Sequence, residues 1–119
     1  MKILVVDDSV FSQKTTIKIL KTIYPDAEYV TANDGIEGIK AFEAIQPNLV
    51  FMDLLMPNMN GQDTIVHIIS NYPDAKIIVL SADVQSTVRE EVLSAGALQF
   101  INKPINSDKL KEIELLMER

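Results

Sequence analysis

The chain has 119 residues, 47% of them hydrophobic and 24% charged, a balance that suits one compact domain and excludes a disordered, collagen-like or coiled-coil chain. A formal net charge of -6 repels a phosphate backbone and argues against direct nucleic-acid binding. With no cysteine and a single histidine, His67, disulfides and thiolate or multi-histidine metal sites are excluded, so any metal must be held by oxygen.

The N-terminus carries one lysine and, after it, four apolar residues before two acids, far short of a signal-peptide core or a membrane span. A cytoplasmic protein without membrane insertion is expected. Residues 3–6 form the first predicted strand, and helical spacing follows over 9–24. A strand over 29–31, a helix over 35–45 and a strand over 49–52 come next. They are followed by a helix over 62–70, a strand over 77–80, a helix over 84–95, a strand over 100–101 and a helix from 107 to the C-terminus. Tyr24-Pro25-Asp26, Asn33-Asp34-Gly35, Gln46-Pro47-Asn48, Tyr72-Pro73-Asp74 and Ala95-Gly96-Ala97 fall between elements, where turns need proline or a residue tolerant of positive φ. The apolar runs are continuous instead of alternating, as in strands buried on both faces. That implies a parallel five-stranded sheet covered by helices on each side, an α/β doubly wound (βα)5 fold in one domain over 1–119.

Polar residues collect where the strands end: Asp7 and Asp8 after the first, Asp53 after the third, Ser81 after the fourth, and Asn102-Lys103-Pro104 after the fifth. In an open parallel sheet those ends share one edge, where ligands bind. Asp53 is the most telling of them, because it follows Leu49, Val50, Phe51 and Met52 and precedes Leu54, Leu55 and Met56. An ionised group in such a stretch is costly unless something compensates it. Three carboxylates in one crevice require protonation or a cation, and a small hard cation, Mg²⁺, resolves the conflict. Carboxylates also accept phosphoryl groups. Such transfer needs positive charge at the phosphoryl oxygens, from Mg²⁺ and Lys103, and Ser81 can give a hydroxyl hydrogen bond.

The acidic pair Asp7-Asp8 with Ser9, the stretch from Met52 and Asp53 through Pro57 to Gly61, the Ser81-Ala82 pair, Phe100 and Lys103-Pro104 stand in an order and spacing that resembles the receiver domain of two-component response regulators. The resemblance runs from end to end and implies the strand order 2-1-3-4-5. It implies that Asp53 accepts a phosphoryl group from the phosphohistidine of a sensor histidine kinase or from a phosphotransfer domain. Mg²⁺, with Mn²⁺ as a substitute, would be held by Asp8, Asp53 and the Leu55 backbone carbonyl, with Asp7 acting through water. Lys103 would pair with the phosphoryl group, its bond to Pro104 being cis. Ser81 and Phe100 would form a switch, the hydroxyl moving toward the phosphoryl oxygens and the ring turning inward behind it. A downstream protein would read the face made by the fourth helix, fifth strand and fifth helix, and a phosphatase is a further expected partner. On this reading the chain is no free-standing enzyme but a phosphoacceptor that assists its own phosphorylation and slow dephosphorylation.

Leu55 and Asp83, each two residues beyond a site residue, correspond to positions where the family tunes access of the hydrolytic water. On the first predicted helix Thr16, Ile19, Leu20 and Ile23 make an inward face, and Val10 with Ile17 make a second line suited to docking a kinase. On the last, Leu110, Ile113 and Met117 face in and Leu115 out. Read singly, Asp7-Asp8-Ser9 is also a helix cap, Ser81 a turn hydroxyl, Lys103 a solvated lysine, and Met52, Met56 and Met59 are packing residues. A flavin carrier would need a glycine-bearing phosphate loop after the first strand, which is missing. An aspartyl phosphohydrolase would place its two acids two apart there, whereas Asp7 and Asp8 are adjacent. A partner-binding pseudo-receiver lacks one of the acids or the lysine, and all are present. No residues remain for an output domain, so a single-domain regulator or an excised domain is expected.

Overall fold

The computed structural model describes residues 1–82 and 86–117, without the side chains of Ser86 and Ser107. Ten elements alternate along it: β1 (Lys2–Val6), α1 (Val10–Leu20), β2 (Glu28–Ala32), α2 (Gly35–Ile45), β3 (Leu49–Met52), α3 (Gly61–Asn71), β4 (Ile77–Ser81), α4 (Ser86–Ser94), β5 (Gln99–Asn102) and α5 (Ser107–Met117). The strands pair in parallel in the order β2-β1-β3-β4-β5, so the expected topology holds.

Successive side chains of a strand point to opposite faces, and both faces are buried here. Leu4, Val6, Val50, Met52, Ile77, Val79 and Phe100 meet Phe42 of α2, Ile65 and Ile68 of α3 and Val92 of α4. The alternate residues Ile3, Val5, Leu49, Phe51, Ile78, Leu80 and Ile101 meet Leu20 of α1 and Leu110 and Ile113 of α5. This division is why the strands read as unbroken apolar runs. On α5, Leu110, Ile113 and Met117 do pack inward while Leu115 is exposed.

Boundaries differ where local hydrogen bonding competes with the helix. Ser9 is the N-cap of α1, its side chain accepting from the Ser12 N–H at 3.2 Å. Regular α1 stops at Leu20, short of residue 24, because the Thr22 hydroxyl donates to the Ile19 carbonyl at 2.7 Å and the Thr22 and Ile23 N–H groups bond three residues back. Val10 and Ile17, the expected docking line, differ in exposure. Val10 is exposed and Ile17 is half-buried against the α1/α5 side of the sheet; among the described residues the most exposed large apolar one is Phe11 of the same helix, at 81%. The expected start of the fourth helix at Val84 lies outside the described residues.

One close approach shapes the loop after β3. A Cβ on Gly61 would lie 2.4 Å from the Asp53 carbonyl oxygen and 2.7 Å from the Leu54 Cα, both backbone atoms that cannot step aside cheaply. Gly61→Ala should therefore lower stability by about 1–3 kcal/mol, as overpacking does. Chemical denaturation checks this; an unchanged midpoint would show that the loop yields freely.

Candidate functional site

Strand register assembles the site. Val6 lies beside both Ala32 and Met52, so the next residues, Asp7 and Asp53, leave adjacent strands side by side. Their N–H groups are fixed to the sheet, Asp7 to the Ala32 carbonyl at 3.0 Å and Asp53 to the Val6 carbonyl at 2.9 Å. Ser81 lies beside Asn102, and the Lys103 N–H donates to the Ser81 carbonyl at 2.9 Å, which carries Lys103 onto the same edge. The Lys103-Pro104 bond is cis.

The Lys103 ammonium donates to Asp7 Oδ2 at 2.8 Å, to Ser12 Oγ at 2.8 Å and to Asp53 Oδ2 at 3.4 Å. It joins residues up to 96 apart in sequence. Asp7 and Asp53 are buried and Asp8 is exposed, and carboxylate oxygens of the three lie within 4.8 Å of one another. Three carboxylates against one ammonium leave an excess of negative charge. The cluster therefore fits a hard divalent cation: its donors are all oxygens, and the charge excess favours binding. Asp7 is the least available of the three. Its Oδ1 accepts the Ser9 N–H at 2.9 Å while its Oδ2 accepts Lys103.

Burial raises the Asp53 carboxyl above the ordinary carboxylate range; the nearby Lys103 charge pulls it down, the Asp7 charge pushes it up, and the Leu55 N–H, donating at 3.3 Å, lowers it. Burial pulls the Lys103 ammonium down, but the hydrogen bond to Asp7 and the charges of Asp53 and Asp7 outweigh it, so its value is raised. Ser81 is fully buried. Phe100 is buried too, with the Arg89 guanidinium 6.0 Å from its ring centre. The Leu55 side chain is exposed beside the acceptor, at 63%. Asp83 lies outside the described residues. His67 is exposed on α3, and Met56 and Met59 are half-buried in the loop before it.

Sequence reasoning missed three contributors. Ser12 accepts from Lys103. Buried Gln13 donates to the Asp7 carbonyl at 2.7 Å and to Asn33 Oδ1 at 2.8 Å, tying the β1–α1 loop to the end of β2. Asn58, at φ 69°, donates to Asp34 Oδ2 at 2.8 Å and ties the β3–α3 loop to the N-cap of α2. A signal existed for Gln13: it sits three residues before Thr16 and seven before Leu20, so it is a polar residue on the inward stripe of α1.

A central parallel sheet with acids and a lysine meeting at one edge is the arrangement of a phosphoryl-accepting receiver. The family model described as response regulator receiver domain matches residues 3–114, and the chain belongs to that family. It is thus a phosphoryl-accepting domain of two-component signalling. Among its relatives, the chemotaxis protein CheY of Thermotoga maritima is 38% identical over 93% of this chain and 92% of that protein. A protein-glutamate methylesterase/protein-glutamine glutaminase of Bacillus licheniformis is 32% identical over the whole chain, which spans 34% of that longer protein. The crystal structure of a CheY-like receiver domain protein from Methanospirillum hungatei is similar with a TM-score of 0.88 at 28% identity, over 98% of this chain and 93% of that one. Among the described residues, no helix is long and apolar enough to cross a membrane.

Because the folded chain holds the Asp53 proton more tightly than the unfolded chain does, ionisation of Asp53 costs stability. The cost is absent at acid pH and sets in as pH rises through the ordinary carboxylate value toward the raised one. Asp53→Asn removes it, so in metal-free buffer the variant should melt above the wild type at neutral pH, by roughly 4 °C per kcal/mol relieved. The gap should narrow on acidification. Thermal melts across that range decide it, and a variant that melts lower at neutral pH would contradict this reading.

Proposed function

We propose that Asp53 is the phosphoryl acceptor, that Lys103 and Ser81 receive the charge of the phosphoryl group, and that residues 1–119 form one receiver domain. The observation carrying this is the convergence of the Asp7, Asp8 and Asp53 carboxylates with a lysine that bridges Asp7 to Asp53. An Asp53 carboxylate oxygen attacks the phosphorus of the donor phosphohistidine. The P–O bond of an acyl phosphate forms as the P–N bond breaks, and the imidazole leaves with the bonding electron pair. Lys103, held at the site by Asp7, offers its ammonium to the transferred oxygens. Asp8 and Asp53, with the Leu55 carbonyl and with Asp7 through water, would hold Mg²⁺ or Mn²⁺. When bound, the ion neutralises charge on the phosphoryl oxygens.

Ser81 and Phe100 form the switch in this reading, and a downstream protein meets the face of α4, β5 and α5, where Leu93 and Leu115 are exposed. The phosphoryl donor is a sensor histidine kinase or a phosphotransfer domain in the cytoplasm, and a phosphatase acts on the product. The chain turns over no separate substrate, assisting only its own phosphorylation and slow dephosphorylation.

Incubation with a small acyl phosphate and Mg²⁺, followed by intact-mass analysis, should show one added phosphoryl group on the wild type. Asp53→Asn should show none, and a chelator should suppress the gain. Equal gain by the variant would refute the acceptor assignment. Leu55→Asn replaces an exposed apolar side chain next to the acyl phosphate by one that can orient water, so the phosphorylated lifetime should fall severalfold. A lifetime equal to the wild type's or longer would show that Leu55 gives no shielding.

A further inference from the structure

Lys103 is half-buried. It borders a cleft of about 140 Å³ shared with Phe11, Ser12, Leu80, Pro104 and Ile105. Packing alone therefore does not fix where the ammonium sits, and its three N–H donors must. Two of them reach the carboxylates Asp7 and Asp53, which lie toward the sheet; the third reaches Ser12 on α1. The Ser12 hydroxyl is the sole neutral member of this tripod, and its bond is as short as the one to Asp7.

Ser12 is itself held in place. It is the third residue of α1, and its N–H donates to the side chain of the N-cap Ser9. Ser9 in turn gives its N–H to Asp7 Oδ1. The first turn of α1 is thus anchored to the carboxylate that Lys103 also binds, and it aims Ser12 at the ammonium from the side opposite the sheet.

We infer that Ser12 is a positioning residue for Lys103: its hydroxyl holds the ammonium between α1 and the strand ends, ready for the phosphoryl oxygens, and stops it from swinging into the cleft. This rests on the reading of Lys103 as the group that meets the transferred phosphoryl group. Ser12 touches none of the reacting atoms and works through Lys103 alone. Removing its hydroxyl leaves one N–H of a half-buried ammonium without its protein acceptor, and the stem gains freedom toward the cleft. The charge is then less well placed at the moment of transfer.

The test compares wild type, Ser12→Ala and Ser12→Thr, each first shown to melt like the wild type. In the unphosphorylated protein, an amine-selective ¹H–¹⁵N spectrum should show a resolved, slowly exchanging Lys103 ammonium signal. That signal should be broadened or lost in Ser12→Ala and kept in Ser12→Thr, whose extra methyl has room in the cleft. With a small acyl phosphate and Mg²⁺, the phosphorylation rate constant of Ser12→Ala should fall about tenfold or more, as loss of one hydrogen bond to a charged group implies, and Ser12→Thr should restore it. The inference is overturned if the wild type gives no such signal, if Ser12→Ala keeps it, or if Ser12→Thr is as slow as Ser12→Ala. Failure of the wild type to gain a phosphoryl group would instead remove the acceptor assignment, and the ammonium spectrum would still decide the role of Ser12.

Discussion

The ammonium of Lys103 is the constraint on which the site depends. Two buried carboxylates lie on neighbouring strands because register places them there, and like charges so close oppose folding unless a cation stands between them. Lys103 supplies that cation from the far end of the sequence, across the β4 and β5 strands. The compensation is incomplete. Asp8 remains, and the excess charge that burdens the folded chain is the same charge that draws a hard cation and, with it, an anionic phosphoryl group.

Much of this was legible in the sequence because the sheet is buried on both faces. The runs Ile3 to Val6, Leu49 to Met52 and Ile77 to Leu80 read as parallel strands covered on both sides, and the polar residue after each run marks the edge where chemistry collects. The two ends of α1 were not equally readable. A serine before an apolar run announces a start, but the stop depends on a threonine hydroxyl that captures a carbonyl, a local contest that periodicity does not record. Ile17 shows a second limit. Its angle on the helical wheel suggested an outward line, yet α1 and α5 cover the same side of the sheet, and Ile17 packs against that side where an isolated wheel shows only solvent.

The missed residues share a cause. Ser12, Gln13 and Asn58 act between segments, from α1 to β5, from α1 to the β2 end, and from the β3–α3 loop to α2. None has an unusual neighbour in sequence, and each acquires its role only when two loops meet. The segments around the acids are therefore laced to one another by neutral side chains. Gly61 belongs to the same arrangement, since the lacing needs the start of α3 to touch the backbone of Asp53.

The strand order carries a mechanical implication. Asp7 and Asp53 follow β1 and β3, which are paired on both sides, whereas Lys103 follows β5, which has a single neighbour. A pull on the acids is resisted by two ladders of hydrogen bonds, while a pull on the lysine is resisted by one. Any force generated at the crevice is thus taken up unequally: the acids act as an anvil, and the compliant margin of the sheet yields.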